Sequence, residues 1–145
     1  MTINLQKNQE AVCVADILRA ISDDKSLLLF TAVAVSSSES GRDILLSKLR
    51  LTRKQYSSRI SELVKANLVT RRNGKYILTS LGKIVYDGQR IMEQALHDYW
   101  KLKAIDELEE MPDEEYKKII NSLIDNEKIR GSIDKSHAIP NIHES

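Results

Sequence analysis

The chain has 145 residues, 41% hydrophobic and 30% charged, which suits one compact domain, or one domain with a helical extension, and excludes a disordered tail protein. Its formal net charge of +1 hides a split: residues 41–83 hold eleven Lys or Arg against Asp43 and Glu62, whereas residues 104–127 hold nine acids against Lys117 and Lys118. One cysteine, Cys13, excludes an intramolecular disulfide, no apolar run approaches the length of a membrane span, and MTINLQKNQE lacks the order of a signal peptide, so a soluble cytoplasmic protein is expected.

Residues 1–9 are polar. Ala11, Val14, Ala15, Leu18 and Ile21 then mark a short amphipathic helix within a first segment of residues 1–22. Cys13, beside this stripe, is expected to be a buried structural thiol, a redox switch being the lesser reading. Ser22, Asp23 and Asp24 offer N-caps for a second helix, and Leu27 to Val35 is apolar almost all round, as for a central core helix. Ser36 to Gly41 is a turn-forming break. Asp43 to Leu49 gives a short helix that only Arg50 and Leu51 separate from the next cap, a helix-turn-helix pattern.

That cap is Thr52, whose hydroxyl suits the amide of Gln55 while the Gln55 side chain reaches back to Thr52, a capping box, with Leu51 and Tyr56 as a hydrophobic staple. Tyr56, Ile60, Leu63 and Val64 form the helix's narrow apolar stripe. Lys54, Gln55, Ser58, Ser61, Glu62 and Lys65 point away from it, with Arg53, Ser57 and Arg59 on the margins. Two strand-like runs follow, Leu68 to Arg72 and Lys75 to Thr79, about Asn73-Gly74, the dipeptide of a type I′ turn. A two-residue loop pairs Arg72 with Lys75, Arg71 with Tyr76, Thr70 with Ile77 and Val69 with Leu78. Like charges opposite each other cost stability, and a polyanion beside Arg71, Arg72 and Lys75 would relieve them.

Thr79 or Ser80 starts a long helix to about Lys103. On it Leu81, Val85, Gly88, Met92, Ala95, Tyr99 and Leu102 alternate spacings of four and three, a coiled-coil seam that asks for a second copy or for the chain's own N-terminal helix. After an acidic break, Asp113 to Asn126 forms an amphipathic helix with Tyr116, Ile119, Ile120, Leu123 and Ile124 on one face, and residues 128–145 read as a poorly ordered tail. The acidic segment serves either as solvated surface or as a protein-docking face.

In this order, LTRKQYSSRISELVKANLV, RRNGKY and ILTSLGK resemble the winged-helix DNA-binding domains of archaeal transcriptional regulators, similar in design to the MarR and PadR-like regulators. The resemblance spans a third to half of the chain. It implies a mostly α fold: a winged helix-turn-helix core at residues 23–79 with a two-stranded wing, a long dimerisation helix at 80–104, and an acidic linker and amphipathic helix at 105–127. It also implies binding to double-stranded DNA as a homodimer. Lys54, Gln55, Ser58 and Arg59 would face base edges, with Ser57 permitting close approach. Arg50, Arg53 and Lys48 would hold phosphates, and Arg71, Arg72, Asn73 and Lys75 would reach the flanking minor groove or its phosphates.

No enzyme is expected, because Cys13 has no neighbouring His and there is no Gly-rich phosphate loop. His97, His137 and His143 are too scattered for a metal site, and no cofactor is implied. Met92, Tyr99 and Trp100 would line a pocket for a small-molecule effector, although aromatics at helical spacing serve cores more often. The alternative from another class is a protein-interaction module that docks through the long helix and the acidic part.

Overall fold

The computed structural model of the protein describes residues 12–35, 47–108 and 110–134. The chain is mostly helical with one two-stranded antiparallel sheet, and it divides between Tyr86 and Asp87 into two compact units.

The first unit holds α1 (Val14–Ala20), α2 (Asp24–Val35), α3 (Arg53–Lys65), β1 (Val69–Arg72), β2 (Lys75–Leu78) and the start of α4 (Ser80–His97). Helix α3 begins as the sequence dictates. Thr52 Oγ1 accepts from Gln55 N at 3.1 Å and Gln55 Oε1 accepts from Thr52 N at 3.0 Å, while Leu51 and Tyr56 are both buried. Its apolar stripe sets Tyr56, Ile60 and Leu63 against Leu29, Phe30 and Val33 of α2, each burial worth about 1.5–3 kcal/mol. Val64, expected on that stripe, is exposed, because the buried side is centred nearer Leu63.

The chain then reverses sharply. Asn67 takes a φ of 61°, Leu68 N donates to Leu63 O at 3.1 Å and Asn67 N to Val64 O at 2.9 Å, a Schellman motif whose flanking Leu63 and Leu68 are fully buried. The β1–β2 register is the one the two-residue loop demands, Val69↔Leu78 through Arg72↔Lys75, with Asn73 at φ 52° and Gly74 at φ 76° as a type I′ turn requires. Thr79 joins the hairpin to α4: its N–H donates to Leu68 O at 3.0 Å, its hydroxyl donates to Asn67 O at 2.6 Å and accepts from Gly82 N at 2.9 Å. Gly82 lies so close beneath that an added Cβ would sit 2.0 Å from Leu68 O. The Thr-x-x-Gly string is therefore a joint in which only hydrogen fits at the fourth position.

Most of the expected stripe of α1 is turned outward. Val14, Ala15 and Leu18 are exposed, whereas Ile21 of that stripe is buried as expected, joined in the core by Ala20 and flanked by Ile17. Cys13 is accordingly exposed rather than buried. It stands at the N-cap, where its N–H and its thiol both donate to Asp16 Oδ2, at 3.1 and 3.2 Å. In α2 the core takes Leu29, Phe30 and Val33, whereas Leu28 and Val35 face outward. Residues 47–49 are helical, which accords with the end of the expected short helix; its start, the Ser36–Gly41 break and Ala11 lie outside the described residues.

The second unit contains the rest of α4, then α5 (Tyr99–Asp106), α6 (Asp113–Leu123) and α7 (Glu127–Ile133). The expected single helix to Lys103 is interrupted at Asp98. Asp98 takes φ −92° and ψ 18°, and its buried carboxylate meets Gln94 Nε2 at 3.4 Å and Lys101 Nζ at 3.8 Å, while Leu102 N still donates to Asp98 O at 3.0 Å. Helix α6 buries Tyr116 and Ile120, but it stops at Leu123 instead of Asn126, because Ile124 is extended and fully buried. Asn126 then caps α7, accepting from Lys128 N at 2.9 Å and Ile129 N at 3.1 Å. Part of the segment expected as tail is thus a helix, held by buried Ile129 and by Tyr116 Oη donating to Ile133 O at 3.3 Å; residues 135–145 lie outside the described ones.

Candidate nucleic-acid interface

Helix α3 turns Arg53, Lys54, Ser57, Ser58, Ser61, Glu62 and Lys65 to solvent. Lys54 and Arg53 form no ion pair among the described residues, and Lys65 lies 3.8 Å from Glu62. Lys48 and Arg50 are exposed just before the helix, Arg50 at a φ of 53° that tightens the approach to the cap. At the hairpin tip Arg71, Arg72, Asn73, Gly74 and Lys75 are all exposed. The Arg71 guanidinium lies 5.6 Å from the centre of the Tyr76 ring, and that ring sits edge-on to buried Tyr56 at 6.4 Å. The chain Arg71–Tyr76–Tyr56 thereby anchors the tip to α3. Helix and hairpin are two parts of one strongly basic surface.

Two sequence-selected side chains are committed elsewhere. Arg59 is half-buried: its Nη1 donates to Asp23, with which it forms an ion pair, and to Ser26 Oγ at 2.9 Å, tying α3 to the start of α2. It is an internal strut and does not project like Lys54. Hydrogen bonding from Ser26 is the largest cause holding the Asp23 carboxyl below its ordinary value; burial opposes the shift and Arg59 reinforces it. No local pattern announces this cluster, because Ser26 and Asp23 lie 33 and 36 residues from Arg59. Gln55 spends its Oε1 on the cap, which leaves its Nε2 for anything outside.

A groove of about 610 Å³ separates α1 from the polar side of α3, lined among others by Asp16, Arg19 and Ala20 on one wall and Lys54, Gln55 and Ser58 on the other. Hydrogen bonds from Cys13, backbone first and thiol second, and then Arg19, hold the Asp16 carboxyl below its ordinary value. No sequence signal placed α1 beside α3.

The seven seam positions do not share one free face. Leu81 and Val85 pack on the first core, Ala95 and Leu102 on the second, and Gly88 has open space beside it. Met92 and Tyr99 are exposed, together with Leu96 at 71% and Trp100 at 78%, the Tyr99 and Trp100 rings meeting edge to face at 5.2 Å. Met92, Tyr99 and Trp100 are therefore surface side chains and do not line an enclosed pocket.

Among the described residues no three His, Cys, Asp or Glu side chains gather as a metal site, and no helix is long and apolar enough to cross a membrane. No family model, curated protein or solved structure matches the chain.

Proposed function

We propose that this protein is a winged-helix transcriptional regulator that binds double-stranded DNA, with α3 in the major groove and the β1–β2 hairpin on the flanking minor groove or its phosphates. One observation carries the reading: exposed Arg53, Lys54, Ser57, Ser58 and Ser61 on α3 and exposed Arg71, Arg72 and Lys75 on the hairpin belong to one compact unit. Lys54 and Ser58, with the Nε2 of Gln55, reach base edges; small hydroxyls at Ser57 and Ser61 let the helix approach closely. Arg53, Arg50 and Lys48 hold phosphates. Arg71, Arg72, Asn73 and Lys75 engage the neighbouring backbone or minor groove, which also relieves the like charges of the Arg72–Lys75 pair.

The regulator acts as a homodimer through Met92, Leu96, Tyr99 and Trp100, large apolar side chains exposed on the second unit. That same cluster, with the acids of residues 104–127, also favours the second reading, a module that docks onto a protein partner.

A salt titration of binding to a fluorescent random-sequence duplex separates the two. Engagement of about six phosphates gives a log–log slope near −5, whereas an apolar protein contact barely responds to salt. Absence of duplex binding at low salt would overturn the DNA-binding proposal.

A further inference from the structure

Glu62 has the wrong sign for a surface that meets phosphates. It is the single acid between Asp43 and Asp87, and it stands exposed on α3 in one row with Lys54 and Ser58, all three bordering the same side of the groove beside α1. Residues four apart share a helix face, and at about 1.5 Å per residue Glu62 lies about 12 Å along the axis from Lys54, the span of roughly three to four stacked base pairs. Folding gives little reason for an acid at this place. Its ion pair with Lys65, at 3.8 Å with the two side chains 61% and 72% exposed, is of a kind that adds little to stability. The carboxylate also belongs to the last turn of α3, where the helix dipole favours cations and disfavours a negative charge. Gln55 Oε1 is taken by the cap and Arg59 is tied to Asp23, whereas Glu62 is held only loosely and its oxygens can accept from outside.

We propose that Glu62 is a specificity-determining residue whose carboxylate accepts from the N4 amino group of a cytosine in the major groove and turns other bases away. The inference rests on the DNA-binding reading and adds a named base to it. In the major groove cytosine offers a donor and no acceptor, whereas guanine offers two acceptors and thymine one, which a carboxylate repels. Adenine has a donor but sets its N7 acceptor beside it. A fitting contact of this kind discriminates by roughly five- to 150-fold. The same charge acts on every other sequence. Where no cytosine answers it, Glu62 meets the field of the phosphates uncompensated and weakens binding, so it separates a cognate site from random DNA by repulsion as well as by attraction.

The test selects binding sites from a randomised duplex library with the full chain and with Glu62→Gln, and measures the affinity of both for the unselected pool by fluorescence anisotropy. Glutamine keeps the length of the side chain, removes its charge and pairs with adenine through N6 and N7. Because Glu62 is exposed, the variant should melt as the unsubstituted chain does. The unsubstituted chain should enrich a site with cytosine at one position. In Glu62→Gln that position alone should lose its cytosine preference, by at least fivefold, and turn towards adenine while the rest of the site stays the same. Affinity for the unselected pool should rise several-fold at the same time. The same enriched site from both proteins, or a pool affinity that falls in Glu62→Gln, would overturn the assignment. Duplex binding by the unsubstituted chain with no enriched site would also overturn it, and would leave DNA binding standing. Failure of the unsubstituted chain to bind any duplex at low salt would instead defeat the DNA-binding reading, and the role of Glu62 with it.

Discussion

Replacing Gly82 by alanine tests the joint between hairpin and helix. The new Cβ would stand 2.0 Å from Leu68 O, 3.0 Å from Leu68 C and 3.3 Å from Thr79 Oγ1. Restoring an ordinary carbon–oxygen separation of about 3.3 Å requires β1 and the start of α4 to part by more than an ångström. Such a movement stretches the bonds that the same atoms make, Thr79 N to Leu68 O at 3.0 Å and Gly82 N to Thr79 Oγ1 at 2.9 Å. Overpacking costs about 1–3 kcal/mol and each weakened bond about 0.5–1.5 kcal/mol, against a gain of up to about 1 kcal/mol for removing a helical glycine. The net is a loss of about 1–6 kcal/mol, or a urea midpoint lowered by about 0.5–3 M at a slope of about 2 kcal/mol/M. Gly88→Ala in the same helix supplies the control: nothing lies within 4 Å of its Cβ, so the substitution should stabilise by about 0.5–1 kcal/mol. Urea unfolding followed by circular dichroism measures both. A Gly82→Ala midpoint equal to or above that of the unsubstituted chain would refute the steric account.

Lys75→Ala should weaken binding to every duplex alike and reduce the salt slope by about one unit, measured by fluorescence anisotropy; loss confined to one sequence would contradict a phosphate role. Leu96→Glu should leave folding intact, since Leu96 is exposed, yet shift sedimentation towards monomer, two buried leucines being worth about 3–6 kcal/mol; an unchanged dimer would place the interface elsewhere. For Asp23 the folded carboxyl titrates below its ordinary 3.8, so its contribution is present above that value and vanishes as pH falls through the lower folded one. The stability difference between the unsubstituted chain and Asp23→Asn should therefore hold steady above about pH 5 and close below pH 4, and solvent screening keeps it under about 1 kcal/mol. Thermal melts across that range check it, and a gap that widened in acid would reverse the sign.

Local rules carried the middle of the chain into the structure almost residue for residue. The capping box at Thr52 and Gln55 and the Asn73-Gly74 turn depend only on neighbours, so their hydrogen bonds and register were legible. Faces were less legible where two stripes compete: in α1 the Val14–Leu18 and Ile17–Ala20 rows are both periodic, Ile21 closes either and is buried, and only the position of the core decides between the rest. Asp98 looked harmless inside a long helical pattern, because its burial beside Gln94 and Lys101, at the point where the helix is interrupted, depends on the tertiary fold. Helix α7 was missed although its cap was visible, Asn126 ahead of Ile129 and Ile133, since glycine and scattered polar residues suggested a tail. Arg59 illustrates the remaining limit: nothing near it in sequence announces Asp23 or Ser26, and a basic residue on a helix margin reads as a ligand contact until its partners are found.

Gln55 was assigned two duties that the geometry sets against each other. A bidentate pair with adenine needs the amide oxygen to accept and the amide nitrogen to donate, but that oxygen already accepts from Thr52 N at 3.0 Å. Two substitutions divide the duties. Glutamate keeps the capping acceptor and adds a favourable charge to the first turn of α3, so Gln55→Glu should be as stable as the unsubstituted chain or more so by a few tenths of a kcal/mol. It loses the donor and sets a carboxylate against phosphates, so duplex affinity should fall on every sequence. Gln55→Ala removes the reciprocal cap and should cost about 0.5–1 kcal/mol of stability. If the Nε2 reads a base, Gln55→Ala also loses about 1–3 kcal/mol of discrimination at one position in the duplex and nowhere else. Loss of stability with base preference unchanged would mean that Gln55 only starts the helix, leaving Lys54 and Ser58 as its readers.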